Sequence, residues 1–290
     1  MMKKSYRMIL FLAISVSFGT GCSTDEQAQQ KATIHLRMGY QSLQQGDPTS
    51  ALKELLQAEK FHPKDAEIQF ALGWAYSAKG RFLEALEHFR QTLVLNPKFT
   101  EAHNAMGATY LEMGKWDEAI QEFEIVLKDL LYLTPYFVQN NIGWAYYKKG
   151  ERPKALEYFQ KAVALKPDFG LAHFNRGLVY RDNQQTPEAI AAMRSALAQA
   201  PNFLEAHFQI GLLYFNSGNR EEAKKAFGEV VRLAPQSENS RLAQQYLDFL
   251  KSRPLDQTIP IHFRSESITA AARTDPIWPP VFAPMACMRR

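Results

Sequence analysis

The sequence predicts an all-α fold, an α-α superhelix (solenoid) of repeated helix pairs. Three observations support this prediction. One pattern of small, aromatic and proline residues recurs six times along the 290 residues, at a spacing of about 34. Each recurrence contains two segments with apolar residues at helical spacing, and a turn signal separates the two segments. Two antiparallel helices per unit are therefore expected.

The six units share two positions that exclude large side chains, one near the middle of each predicted helix. The units are 32–65, 66–99, 100–135, 136–169, 170–203 and 204–237. The first position is always glycine, at Gly39, Gly73, Gly107, Gly143, Gly177 and Gly211. The second is always alanine, at Ala51, Ala85, Ala119, Ala155, Ala189 and Ala223. Small residues at both positions predict that the two helices of a unit approach each other closely.

The second unit shows the complete pattern. Its Gly, Tyr, Gly, Ala, Phe and Pro positions are Gly73, Tyr76, Gly80, Ala85, Phe89 and Pro97. This pattern resembles the tetratricopeptide repeat, and the resemblance covers residues 32–237. Three units depart from it. Ser42 replaces the tyrosine of the first, and Gln184 replaces the turn glycine of the fifth. The third lacks its proline and reads Lys128 to Pro135 instead, with two extra residues.

The two ends of the chain differ from the repeats. Residues 238–252 keep helical spacing with polar residues between, which predicts a capping helix over the last apolar face. Residues 253–290 contain prolines and no helical period, which predicts a disordered tail. The apolar residues of this tail leave open that it docks in a groove of the same chain.

The N-terminus has the form of an export signal, residues 1–21, followed by a linker, 22–31. Three basic residues precede the apolar run 8–18, which is too short to span a bilayer. The following Gly19-Thr20-Gly21-Cys22 resembles a bacterial lipobox, which implies acylation of Cys22. By resemblance to the sorting rule of bacterial lipoproteins, Ser23 after the cysteine implies a lipid anchor at the periplasmic face of the outer membrane. Cleavage by ordinary signal peptidase is the alternative.

Charge and cysteine content exclude some classes of function. The formal net charge is +4, and removal of residues 1–21 would take away three positive charges. A chain so close to neutral does not indicate a nucleic-acid partner. Cys287 is the second of only two cysteines, so acylation of Cys22 would leave no intramolecular disulfide. Cys287 is then a free thiol, or pairs between molecules.

No pattern indicates catalysis, a cofactor, a metal or a small-molecule substrate. The histidines that share the fourth position of their units are His35, His103, His173 and His207. Metal binding by these histidines is the weaker interpretation, because no cysteine or carboxylate pair joins them at ligand spacing. We expect them to pack between helices. No glycine cluster has the form of a phosphate-binding loop.

A peptide-binding surface remains. In tetratricopeptide proteins, the inner face of the first helices commonly binds peptides, and the corresponding residues here are mostly apolar or aromatic. This predicted groove consists of Tyr40, Leu43, Phe70, Trp74, Asn104, Leu111, Asn140, Trp144, Tyr147, Phe174, Leu178, Arg181, Phe208, Leu212 and Phe215. An exposed apolar stripe of this kind is typical of a protein-binding site. Any one of these aromatics could instead bury against neighbouring helices or the tail.

The irregular third unit adds a second resemblance. Residues 130–136, followed by Asn140-Asn141-Ile142-Gly143, resemble the linker and next helix of type IV pilus biogenesis lipoproteins, the secretin pilotins. This resemblance implies a non-enzymatic adaptor that binds a secretin subunit or another envelope protein at the outer membrane. A scaffold for peptidoglycan hydrolases or synthases is the alternative. An enzyme whose active part lies in the tail is the third hypothesis, which the small size of the tail disfavours.

Overall fold

The computed structural model describes residues 21–252, with side chains from residue 26 onward. This part of the chain contains thirteen helices and no strand, which confirms the predicted all-α fold. The helices are α1 (Gly21–Gln44), α2 (Pro48–Phe61), α3 (Ala66–Ala78), α4 (Phe82–Leu95), α5 (Thr100–Glu112), α6 (Trp116–Val126), α7 (Pro135–Lys148), α8 (Arg152–Leu165), α9 (Gly170–Asp182), α10 (Thr186–Gln199), α11 (Leu204–Asn216), α12 (Arg220–Leu233) and α13 (Glu238–Ser252).

The helices belong to two compact units. The first unit extends to Pro97 and contains α1 to α4. The second begins at Lys98 and contains α5 to α13. Inside each unit, the two helices of a repeat pack on each other and each pair packs on the next pair. Helix α13 packs on α12, as expected of a terminal capping helix.

The shared glycine lets a large side chain of the second helix lie against the backbone of the first. A Cβ atom at Gly73 would lie 2.6 Å from the ring of Phe89, and one at Gly143 would lie 2.8 Å from the ring of Phe159. Both rings are completely buried. Contacts this short leave no room for a methyl group, so the repeated glycine is required by packing. The other pairs of the same kind are Gly39–Leu55, Gly107–Phe123, Gly177–Met193 and Gly211–Phe227.

The turn inside each repeat uses a left-handed residue. Gly80 has a φ of 72° and its equivalents have similar values, as expected where a glycine follows the end of a helix. In the fifth repeat Gln184 occupies this position with a φ of 60°. It is the one non-glycine residue with a positive φ among residues 21–252. A side chain in this conformation is strained by about 1–2 kcal/mol.

Two boundaries differ from those that the sequence pattern predicts. Helix α1 begins at Gly21, so residues 22–31, the predicted N-terminal linker, are helical. Residues 26–31, Glu-Gln-Ala-Gln-Gln-Lys, are nearly all good helix formers, which explains the extension. Pro135, predicted to end the third unit, instead starts α7. Proline is favourable there because the first turn of a helix leaves its N–H groups without intrahelical partners.

No helix within residues 21–252 is both long enough and apolar enough to cross a bilayer. The predicted export signal, except its last residue, lies outside the described residues, and so do the predicted tail 253–290 and Cys287. The backbone of Cys22 lies in α1, but its side chain is not described. Acylation of Cys22 therefore stays a prediction.

Candidate functional site

The predicted groove residues lie on the first helices of the repeats, but most of them are buried. Only Tyr40, Asn104, Tyr147 and Arg181 are partly exposed. The buried members are Leu43, Phe70, Trp74, Leu111, Asn140, Trp144, Phe174, Leu178, Phe208, Leu212 and Phe215. The expectation of an exposed apolar stripe is therefore wrong for these eleven side chains, whereas their role in binding stays untested.

Aromatic contacts explain part of this burial. The fifth position of the repeat points toward a second helix: Phe70 lies 5.7 Å from Phe89, and Phe208 lies 5.9 Å from Phe227, between ring centroids. In the last repeat, the Phe215 ring centroid lies 4.9 Å from that of Tyr246 on α13. These rings form the cores of their repeats, where aromatic pairs stabilise by more than their buried area alone.

In the first unit, Tyr40 of α1 joins two predicted groove positions. Its ring centroid lies 6.0 Å from that of Trp74 on α3. Its hydroxyl donates a 2.7 Å hydrogen bond to the carboxylate of Glu67. Burial, together with the negative charge of Glu67, raises the pKa of Tyr40 well above its usual value. The phenol is therefore a neutral donor that fixes α1 against α3.

In the second unit, Trp144 and Tyr147 of α7 form a similar aromatic pair. Their ring centroids are 5.2 Å apart, and Lys148 Nζ lies 4.9 Å from the Trp144 centroid. Trp144 is 3% exposed, so it is a packed side chain with a cation over its ring. Trp144 therefore contacts both the Tyr147 ring and the positive charge of Lys148.

A chain of polar side chains continues from Tyr147 along the first helices of the second unit. The Tyr147 hydroxyl donates to Asp182 Oδ2 at 2.7 Å, and burial raises the pKa of Tyr147. Arg181 donates through Nε to Asp182 Oδ1 and through a terminal nitrogen to Gln209 Oε1, both at 2.8 Å. Gln209 Nε2 in turn donates to Glu205 Oε1 at 2.7 Å. These bonds connect α7, α9 and α11 by charge-assisted contacts.

The polar chain includes residues that the sequence analysis missed. Gln209 and Glu205 are buried, and Asn239 of α13 donates to Glu205 Oε2 at 3.0 Å. Glu205 and Gln209 are polar residues on the otherwise apolar buried side of helix α11. This pattern is the sequence signal that could have identified them. Arg181 was predicted as a groove residue, but most of its guanidinium is committed to these intramolecular contacts.

Two buried asparagines form a second polar feature of this unit. Asn175 Nδ2 on α9 donates to Asn140 Oδ1 on α7 at 2.9 Å. The remaining amide nitrogen of Asn140 and the remaining amide oxygen of Asn175 have no hydrogen-bond partner. Exchanging the two amide orientations would still leave one donor and one acceptor unpaired. The pair thus offers one donor and one acceptor, the complement of a backbone amide or a water molecule.

The four histidines at the fourth repeat position divide into two kinds. Nδ1 of His35 lies 2.8 Å from Glu54, and Nδ1 of His103 lies 2.7 Å from Glu122, so each contacts the second helix of its own repeat. In the last two repeats, alanine replaces that glutamate. His173 and His207 instead donate to the carbonyls of the preceding repeat-end prolines, Pro167 and Pro201, at 2.9 and 2.8 Å.

These contacts give the histidines a packing role. The spacing between each of the first two histidines and its glutamate is the sequence signal for this role. The glutamates lie nineteen residues after their histidines, which places a first-helix position opposite a second-helix position of the same repeat. Within residues 21–252, no group of three or more histidine, cysteine, aspartate or glutamate side chains could hold a metal ion.

Comparison with solved structures identifies proteins with a similar fold. PilW, described as a widely conserved type IV pilus biogenesis factor, matches with a TM-score of 0.67 at 21% identity, over 74% of this chain and 99% of PilW. PilF of Pseudomonas aeruginosa matches with a TM-score of 0.64 at 20% identity, over 76% of this chain and 99% of PilF. MamA matches with a TM-score of 0.50 at 27% identity, over 57% of this chain and 95% of MamA.

Comparison of the sequence with family models agrees with the fold. Two models, both described as tetratricopeptide repeat, match the chain: one at residues 36–98 and 140–202, the other at residues 77–130 and 180–245. No curated protein sequence matches it. Together the two models match more than half of the residues. The chain therefore belongs to the tetratricopeptide repeat family.

Proposed function

We propose that this protein is a non-enzymatic adaptor lipoprotein that assists assembly of a type IV pilus secretin, or a related secretin, at the outer membrane. The observation that carries the proposal is the match over 99% of both PilW and PilF, the former described as a pilus biogenesis factor. At about 20% identity this match concerns the fold. The lipobox-like segment that ends at Cys22 supports the lipid anchor, and Ser23 after it supports the outer-membrane location.

The proposed partner segment binds along the first helices, at the partly exposed positions of the predicted groove. Asn104 and Tyr147 supply this surface in the second unit. The unpaired donor and acceptor of Asn140 and Asn175 favour a partner that presents backbone amides, because a peptide amide satisfies both. Access to that buried pair requires the surrounding side chains to move when the partner binds.

The burial of the tryptophans changes how the groove must be tested. Trp74 and Trp144 are 8% and 3% exposed, so truncation to alanine removes core packing and costs about 3–5 kcal/mol. Loss of binding in such variants would therefore report unfolding as well as lost contacts. A photo-crosslinking amino acid at the partly exposed Asn104 leaves the core intact. Leu165 of α8, which is 54% exposed, is the matched control position on a second helix.

The crosslinking experiment is done in cells, and adducts are identified by mass spectrometry. The proposal expects a secretin adduct from Asn104 and none from Leu165. An adduct with a peptidoglycan hydrolase or synthase at Asn104 would keep the groove but replace the secretin as partner. Secretin adducts from Leu165 alone would place the binding surface on the second helices and contradict the groove.

A further inference from the structure

The connection between α6 and α7, residues 127–134, carries the most exposed aliphatic side chains of the described part of the chain. Leu130, Leu131 and Leu133 are 94%, 86% and 74% exposed. Of the other exposed large apolar residues in residues 26–252, Ile34 and Met38 lie one turn apart on α1, and the rest lie singly on the helices. Three within four residues form a continuous apolar tip, and the proposed adaptor function does not use it. We name this segment the leucine loop.

The leucine loop is held in one conformation by Asp129. The Asp129 carboxylate accepts hydrogen bonds from Thr100 Oγ1 at 2.7 Å and from the Leu131 N–H at 3.0 Å. The Asp129 carbonyl accepts from the Tyr132 N–H at 3.2 Å. Both carboxylate oxygens are therefore engaged in fixing the turn. The three leucines stay outside this turn, so their exposure is built into the fold.

The residues around the tip have the composition of a membrane interface. Lys128 is exposed beside Asp129, whereas Tyr132 and Tyr136 are partly buried. Nζ of Lys166 lies 5.0 Å from the Tyr136 ring centroid, which places a second cation there. Exposed aliphatic residues together with tyrosines and lysines are the residue types that occur at a bilayer surface.

Acidic groups near the loop weaken this positive charge only in part. Asp129 directs its carboxylate into the turn. Burial raises the pKa of Tyr132, and the negative charge of Glu101 raises it further. The Asp129 carboxylate lies beside Leu131, and both of its oxygens accept hydrogen bonds. Cations at the edge of an apolar tip favour attraction to anionic lipid headgroups.

We propose that the leucine loop inserts Leu130, Leu131 and Leu133 into the surface of a bilayer that contains anionic phospholipid. The chemistry favours lipid over a protein pocket for two reasons. Strong protein–protein anchors are enriched in Trp, Tyr and Arg and depleted in Leu, whereas aliphatic side chains partition well into acyl chains. Three exposed leucines also need no complementary pocket when they enter a bilayer.

A local probe separates this insertion from any attachment through the N-terminus. In the full chain with Cys22→Ala and Cys287→Ala, the variant Leu131→Cys carries an environment-sensitive fluorophore. Leu83→Cys on α4, where the native side chain is 69% exposed, is the matched control. Vesicles of phosphatidylethanolamine and phosphatidylglycerol are added, and brominated lipids then test for quenching by acyl chains.

We expect a blue shift and quenching for the label at position 131 and neither for the label at position 83. Replacing Leu130, Leu131 and Leu133 together with Ser should lower vesicle partitioning at least about tenfold, while Ser at the exposed Leu83, Val94 and Leu165 should not. Equal responses at positions 131 and 83 would overturn the proposal. A shift at 131 that requires envelope proteins and not lipid would also overturn it, in favour of a protein pocket.

Discussion

The glycine at the eighth repeat position provides the sharpest test of the packing described here. Replacement of Gly143 by Ala adds a Cβ atom 2.8 Å from two ring atoms of Phe159 and 3.3 Å from the carbonyl oxygen of Ala155. The Phe159 ring is completely buried and cannot move into solvent. We therefore expect Gly143→Ala to push the α7 and α8 helices apart locally.

The expected size follows from two opposing effects. Alanine favours a helix interior over glycine by about 1 kcal/mol, whereas overpacking of a core costs about 1–3 kcal/mol. The net result for Gly143→Ala is a loss of up to about 2 kcal/mol. Gly228 of α12 is the matched control, because a Cβ atom there meets nothing within 4 Å. Gly228→Ala should therefore gain about 1 kcal/mol, and the difference between the variants isolates the contact with Phe159.

Urea unfolding of the full chain, followed by far-UV circular dichroism, measures both variants. Repeat arrays can unfold in stages, so the fluorescence of the neighbouring Trp144 should be recorded as a local signal. A lower unfolding midpoint for Gly143→Ala together with a higher one for Gly228→Ala supports the packing. Equal stabilisation of both variants would show that Phe159 does not lie against Gly143, and the repeat register would be wrong.

Three further predictions concern strain, titration and a buried pair. Gln184→Gly should raise stability by about 1 kcal/mol because it relieves a positive φ. Asn183→Gly, at a φ of −85°, is the control and should lower stability. Thermal unfolding of the two variants measures the difference. Burial raises the pKa of Tyr132 from 10.0 to about 12, so its neutral form stabilises the fold below pH 10, and this stability is lost as the pH rises to about 12. Tyr132→Phe should flatten that alkaline loss in unfolding curves recorded across this window; an unchanged slope would contradict the assignment. Asn175→Leu should cost about 1–3 kcal/mol by leaving Asn140 unpaired, and the double Leu variant should recover much of it in a double-mutant cycle.

The repeat period is sufficient to predict the helix pairs and the close approach of the two helices in each pair. The small residues Gly73 and Ala85 indicate that approach, whereas the contact between Gly73 and the Phe89 ring is seen only in the structure. The strained turn at Gln184 was also visible, since a single residue departed from an otherwise constant glycine. Such features repeat along the chain, and each copy supports the others.

The sequence pattern was less informative about exposure. Phe70 and Phe208 were assigned to an open groove because their position faces the inner side in related proteins. Their rings instead contact Phe89 and Phe227, because a large ring at this position reaches the second helix of the same repeat. Which of two neighbours a ring contacts depends on backbone separation and rotamer, and neither follows from periodicity. The polar chain through Gln209 was missed for the same reason.

The start of α1 shows a different limit. The repeat pattern begins at residue 32, so the preceding segment was assigned to a linker. Nothing in residues 26–31 ends a helix, and the structure continues α1 back to Gly21. Residues with a high helix propensity can extend a helix beyond the residues that pack on its neighbours. The repeat pattern consists only of residues that pack, so it does not show this extension.

The proposed adaptor function is tested most directly by secretin assembly in cells. Secretin multimers are measured in unheated membrane samples from a strain that lacks this protein, with and without complementation. The account predicts that multimers disappear while monomers remain, that the native gene restores them, and that Cys22→Ala and a bulky Asn104→Arg in the groove restore them poorly. Normal multimer levels in the strain without the protein would contradict the account.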